Sequence, residues 1–223
     1  MSTARITIFA GHYGSGKTNI AVNYALLLND RGKAVSIADL DIVNPYFRSK
    51  DAEELFEQKG IKFISSHYAN SNVDTPALPA EAYSITADRK RYAVVDVGGD
   101  DRGALALGRY VPEIKNENNY EMLFVINKFR PLTGDAQSTL EVMREIELAC
   151  GLRFTGIVNN SNLGEATTAE DVIGSAEYAA QVAQLSGLEI KMTTVDKRLY
   201  GELQSKAYNL MPLELYVRQS WQK

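Results

Sequence analysis

The sequence predicts a doubly wound α/β fold, a mostly parallel sheet of about seven strands with helices on both faces. Three observations carry that prediction. Short apolar runs alternate along the chain with longer stretches of helical period. Several of those runs are near-continuous Val, Ile and Phe, the pattern of strands buried on both faces. No linker, internal repeat or low-complexity segment divides the 223 residues, so they are read as one domain.

Strands are expected over residues 5–10, 34–39, 61–65, 92–97, 122–127, 154–159 and 190–194. The first connecting helix is expected over 18–31, where Ile20, Ala21, Tyr24, Ala25, Leu27 and Leu28 share one stripe and Gly32 supplies the stop. Leu140, Met143, Ile146 and Cys150 repeat that pattern over about 135–151. Thr168 with Asp171 resembles a capping box, and the helix behind it is expected to carry Ile173, Ala176, Ala180 and Ala183 as far as Gly187. Residues 197–223 are expected to form a helical extension packed on the domain, and in its tail, 212–223, Leu213, Val217 and Trp221 recur four apart as on an amphipathic helix.

Composition narrows the function classes. With 24 basic and 28 acidic residues the net charge is −4, and no block of like charges exists, so general nucleic-acid binding is not expected. A single cysteine excludes an intramolecular disulfide, and no Cys/His cluster has metal-ligand spacing. No apolar stretch reaches membrane-spanning length, and the chain start runs into a strand pattern rather than a secretory segment. The polar face of the tail offers only Arg218 and Lys223 as cations, so no membrane anchor is expected either. A cytoplasmic location follows.

The chemistry is concentrated at strand ends. Directly after the first strand stands Gly11-His12-Tyr13-Gly14-Ser15-Gly16-Lys17-Thr18, a full match to G-x-x-x-x-G-K-[ST] in the strand-loop-helix context that the motif requires. Its glycines let the backbone curl so that successive N–H groups face phosphate oxygens, and the helix behind adds its positive end. Lys17 is then the phosphate-binding cation and the Thr18 hydroxyl a Mg²⁺ ligand. The second strand ends on Asp39-Leu40-Asp41, with carboxylates two apart on one side of an extended chain, suited to orienting magnesium-bound water and the attacking water. The fourth ends on Asp96-Val97-Gly98-Gly99, where Asp96 fits a magnesium-holding acid and the Gly99 N–H a γ-phosphate contact. Asp100 and Asp101 are read as caps of the helix that carries Ala104 to Leu107.

In this order the phosphate loop, the Asp39-Leu40-Asp41 switch and the Asp96-Val97-Gly98-Gly99 turn resemble the SIMIBI class of P-loop NTPases, the nucleotide-binding family of MinD, ParA, Mrp, CobQ and CobB. The resemblance runs to about Asp196 and implies that Lys17 and Thr18 bind phosphate and magnesium, Asp41 positions water, and Asp96 closes the metal site together with Asp39. In the ATPase branch a second lysine follows the first glycine of the loop; His12 stands there, with Tyr13 beside it as a further site-shaping residue. Relatives place base-recognition residues after the fifth and sixth strands. Asn127-Lys128 is followed by Phe129-Arg130, so the carboxylate of a guanine-reading NKxD is missing. Amides satisfy adenine both ways, which makes Asn159, with Asn160 as alternate, the expected base reader and ATP the expected nucleotide.

Arg48, Arg102 and Arg130 are candidate charge stabilisers, and the long polar loop over 68–79, with Tyr46 and Phe47, is a candidate partner surface. The leading reading is an ATP- and Mg²⁺-dependent molecular switch whose nucleotide state controls a homodimer or protein effector. The alternatives are a CobB-like ATP-dependent small-molecule kinase or ligase, and a GTPase of the metallochaperone type.

Overall fold

Alternation along each strand divides the interior into two cores. Ile6, Ile8 and Ala10 point to one face of the sheet and Phe9 to the other, as do Met122, Phe124 and Ile126 against Leu123 and Val125. The computed structural model describes residues 3–40, 50–65, 83–99, 101–207 and 209–216. In chain order its elements are β1 (Ile6–Ala10), α1 (Lys17–Asp30), β2 (Val35–Asp39), α2 (Lys50–Lys59), β3 (Lys62–Ser65), α3 (Ser84–Ala87) and β4 (Tyr92–Asp96). Then follow α4 (Asp101–Gly108), α5 (Val111–Glu117), β5 (Tyr120–Ile126), α6 (Ala136–Cys150), β6 (Gly156–Asn159), α7 (Ala169–Gly174), α8 (Ala176–Ser186), β7 (Ile190–Asp196), α9 (Lys197–Leu203) and β8 (Leu210–Leu213). The strands form one parallel sheet in the order β3-β2-β4-β1-β5-β6-β7-β8. Helices α1 and α2 cover the face of Phe9, and α4, α5, α6 and α8 cover the other.

The sheet thus has eight strands where about seven are expected. Within the extension expected to be helical over 197–223, α9 forms at Lys197–Leu203, and the eighth strand corrects the expectation at Leu210–Leu213. Met211 and Leu213 are buried against the α1 layer with period two, and that burial outweighs the four-residue spacing that Leu213 begins. Pro212, lacking an N–H, is exposed on this edge strand, where such a residue is tolerated. Val217 and Trp221 lie outside the described residues.

The expected helix from Thr168 to Gly187 is two helices. Its capping box forms as expected, but α7 ends at Gly174 and α8 starts afresh after Ser175, whose hydroxyl bonds back to the Val172 carbonyl at 2.7 Å. The helix around Leu140 is capped by the Asp135 side chain and stopped by left-handed Gly151. No helix among the described residues is long and apolar enough to cross a membrane.

At the amino-terminal end of the sheet, buried Arg5 is clamped by the Glu117 carboxylate through Nε and Nη2, and donates to the carbonyls of Ile85 and Arg91, each at 3.0 Å. One guanidinium thereby ties the start of β1 to α3, β4 and α5.

Candidate nucleotide site

The phosphate loop leaves β1 at the centre of the sheet and turns into α1. Its curl depends on missing side chains. A Cβ on Gly11 would lie 2.4 Å from the Val125 carbonyl oxygen, and Gly16 has φ +90° with a would-be Cβ 2.2 Å from Asn160 Nδ2. Lys17 is the first residue of α1 and 6% exposed; its Nζ donates to the His12 carbonyl at 3.1 Å, which also accepts the Ser15 N–H at 3.2 Å. The cation is therefore folded back over its own loop. No side chain caps the α1 amino terminus and no acidic residue stands in its first turn, which leaves the helix end suited to an anion. The Ser15 hydroxyl is buried with no partner among the described residues. Thr18, half-buried, follows Lys17 in the first turn. The His12 ring nitrogen Nδ1 lies 3.0 Å from the Tyr13 carbonyl, and the Tyr13 side chain is exposed.

Two side chains from neighbouring loops hold the outside of this curl. Arg130 Nε donates to the Gly14 carbonyl at 2.9 Å, and Asn160 Nδ2 donates to the Ser15 carbonyl at 2.6 Å. The Asn160 carbonyl oxygen in turn accepts the Thr194 hydroxyl at 2.6 Å. Asn159 is likewise occupied: Nδ2 donates to the Ser175 hydroxyl at 2.9 Å, and Oδ1 accepts the Ser161 hydroxyl at 2.7 Å. Both amides expected to meet the base are buried and spent on the scaffold in this structure, as buried polar groups must be. Neither Thr194 nor Ser175 carries a local motif that would announce these contacts. Replacing Asn160 by alanine removes the donor to the Ser15 carbonyl and leaves the Thr194 hydroxyl only its 3.4 Å bond to the Asn159 carbonyl, so a loss of about 1–3 kcal/mol is expected in chemical denaturation.

The carboxylates meet as the strand register dictates. Asp39 and Asp96 are direct partners at the ends of β2 and β4, and Phe9 at the end of β1 pairs with Asp96 on its other side. Each lies two residues beyond a residue of the α1-side core, Ile37 and Val94, so both project from the face on which Lys17 and Thr18 begin α1. The donor set of two carboxylates and a hydroxyl is all hard oxygen, the chemistry Mg²⁺ takes up alongside phosphate, and these residues fit that ion. Asp41 lies outside the described residues, as do Arg48 and the segment over 68–79. Gly99 rests on the phosphate loop: a Cβ there would sit 2.5 Å from the Tyr13 nitrogen and 2.7 Å from its Cα. Gly99→Ala must push two backbones apart, and a destabilisation of about 1–3 kcal/mol in thermal unfolding is expected, with weaker nucleotide stabilisation.

Beside Gly16 and Asn19 a small cleft of about 80 Å³ opens between the ends of β6, β7 and β8. Its walls include Asn162, Thr167, Val172, Asp196 and Leu215. It is contiguous with the phosphate loop through Gly16, and Val172, Leu213 and Leu215 make part of its wall apolar. Asp196 caps α9 through the Arg198 N–H and pairs with the Arg198 guanidinium at 3.0 Å.

A central strand, a glycine-curled loop with its lysine and paired carboxylates on adjacent strand ends together define a P-loop nucleotide-binding protein. More narrowly, residues 6–178 match the family model of the CobQ/CobB/MinD/ParA nucleotide binding domain, and the chain belongs to that family. It is similar to the cytosolic Fe-S cluster assembly factor cfd1 of Emericella nidulans, 31% identical over 96 residues that make up 43% of this chain and 27% of that protein. Among solved structures it resembles the cell division protein FtsY of Thermotoga maritima, with TM-score 0.56, 22% identity, and coverage of 95% of this chain and 65% of that one. It also resembles chloroplast FtsY of Physcomitrella patens, with TM-score 0.57, 17% identity, and coverage of 86% and 58%. The signal recognition particle 54 kDa protein of Aeropyrum pernix in complex with GDP gives TM-score 0.55, 18% identity, and coverage of 86% and 41%. At these identities the structural likeness is one of fold. The chain spans 27% of the curated relative and 65% or less of these three structures.

Proposed function

We propose that this chain is a Mg²⁺-dependent ATPase working as a MinD/ParA-like switch, its nucleotide state controlling association with a second copy or a protein effector, in the cytoplasm. The observation that carries this reading is the seat of Gly99 on the backbone of Tyr13, with α4 starting two residues later. Any shift of the loop as a γ-phosphate arrives or leaves passes through that contact into α4, whose Leu105 is exposed. Lys17 leaves the His12 carbonyl to meet the phosphates, and the amides of residues 11–18 surround them. Thr18, Asp39 and Asp96 hold Mg²⁺, which supplies neutralisation of charge on the phosphate oxygens. Asp41, with Asp39, orients the water that attacks the γ-phosphorus; the bond to the β–γ bridging oxygen breaks, and ADP and phosphate are released. The base takes the cleft beside Gly16, and ATP is expected to outcompete GTP there; the reverse order would make the protein a GTPase.

The test is phosphate release by the wild type and Asp41→Ala, coupled to sedimentation with ADP and with a non-hydrolysable ATP analogue. Asp41→Ala is expected to bind ATP yet hydrolyse it about 100-fold more slowly. Identical sedimentation in both nucleotides, with phosphate released only when a metabolite is added, would mark a small-molecule kinase or ligase instead.

The similarity to an Fe-S cluster assembly factor favours a second reading, nucleotide-driven handling of a cluster for a partner. In that case the partner contributes most of the thiolates, because Cys150 is the single cysteine, buried, with its thiol pushed up by desolvation.

A further inference from the structure

Arg130 stands in a braced turn between β5 and α6. Its N–H donates to the Asn127 carbonyl at 3.1 Å, its own carbonyl accepts the Thr133 N–H at 3.0 Å, and the Thr133 hydroxyl closes the turn on Asn127 at 2.7 Å. From this base the side chain reaches the phosphate loop. Besides the 2.9 Å bond from Nε to the Gly14 carbonyl, a Cβ on Gly14 would sit 3.5 Å from Nε and 3.7 Å from the guanidinium carbon. The side chain is half-buried, and among the described residues no carboxylate pairs with it. Its two terminal nitrogens carry four N–H groups, none of which has a partner among the described residues.

A permanently charged, partly desolvated guanidinium is costly to leave without an anion. The space beside it is a loop shaped for phosphate, in which Lys17 is the single basic residue between 11 and 18 apart from His12. A triphosphate with its magnesium ion still carries a net charge of about −2, more than that one lysine neutralises. The turn that fixes the Arg130 backbone means that little ordering remains to be done when the anion arrives.

We propose that Arg130 is a phosphate-binding residue supplied in cis, its guanidinium adding a second cationic side chain beside Lys17 and favouring a nucleoside triphosphate over a diphosphate. This rests on the reading that the loop binds a nucleoside triphosphate. The alternative, a purely mechanical brace on Gly14, differs in one respect: a brace needs a donor, whereas a phosphate contact needs a charge.

Two variants separate them. Arg130→Gln keeps an N–H donor for the Gly14 carbonyl and removes the charge; Arg130→Lys keeps the charge and loses the fork. Calorimetry with MgATP and MgADP at low and high salt is expected to show Arg130→Gln binding MgATP about 10- to 100-fold more weakly. Its MgADP affinity is expected to fall less than about 3-fold, and the salt dependence of MgATP binding to flatten. Arg130→Lys is expected to stay within about 5-fold of the wild type for MgATP, as a point charge suffices. Wild-type affinity of Arg130→Gln for both nucleotides, or equal losses for both in the two variants, would overturn the proposal while leaving the nucleotide reading intact. A wild-type protein that binds neither nucleotide would defeat that reading itself, and the proposal with it.

Discussion

Lys17→Ala is expected to weaken MgATP binding at least about 100-fold in calorimetry, with no more than a small change in unfolding temperature of the ligand-free protein. The asymmetry follows from what Lys17 does in each state. Without ligand its Nζ donates to the His12 carbonyl at 3.1 Å, at a loop whose shape is also held by Arg130 and Asn160. With ligand the same group is expected to be the principal cationic side chain on the phosphates, in a site where it is 6% exposed and therefore poorly screened. Lys17→Arg is expected to fail nearly as badly, because a planar fork does not fit where a compact ammonium folds back over its own loop. Undiminished affinity of Lys17→Ala would remove the phosphate-loop assignment and every role built on it.

The largest effect on stability is expected far from the nucleotide. Glu117→Ala leaves Arg5 as a buried charge with only carbonyl partners, and breaking such a pair costs about 3–5 kcal/mol, or about 10 °C in unfolding temperature for a domain of this size. Replacing both partners together, as Arg5→Met with Glu117→Leu, is expected to recover most of that loss, because the desolvation of two charges disappears with the charges. The hydrogen bonds from Arg5 hold the Glu117 carboxyl below the usual carboxylate range, against desolvation, which raises it. A group whose folded pKa is depressed contributes stability that is complete above the unfolded value, about 4.3, and lost as pH falls through the folded one. Wild-type stability should therefore decline below about pH 4 more steeply than that of the Arg5→Met, Glu117→Leu variant. Parallel acid titrations of the two proteins by circular dichroism would contradict this.

Both effects expose how unevenly the site and the scaffold could be read beforehand. The phosphate loop is eight contiguous residues whose glycines, lysine and threonine are each required by local geometry, so strand, loop and helix appear together in the chain and in space. The Thr168–Asp171 box and the Asp135 cap are equally local, each closing over three residues. The strand ends with Asp39 and Asp96 were legible as acidic termini, and parallel register then made them neighbours.

What only the packed chain decides shares a different cause. Asn159 and Asn160 look like base readers because amides suit adenine, yet whether an amide is available depends on what packs against it. Asn160 finds the Ser15 carbonyl 145 residues away, and Asn159 finds Ser175 in the break between two helices expected to be one. The tail shows a competition of periods: Leu213 fits a four-residue helical stripe and also, with Met211, a two-residue strand pattern. The free sheet edge at β7 decided for the strand.

The sequence alone therefore determined the class of fold, the phosphate loop and the side of the sheet from which the acidic strand ends project. Each of these rests on neighbours along the chain and on periodicities of two or 3.6 residues. Tertiary structure alone decided that Arg130 lies against Gly14, that the two asparagines serve the scaffold, that Arg5 closes on Glu117 and that an eighth strand joins the sheet. Apart from the bond of Ser161 to Asn159, those contacts pair residues more than ten positions apart, and no local preference encodes them. They exist because buried polar groups and exposed strand edges must find partners wherever the packed chain brings them.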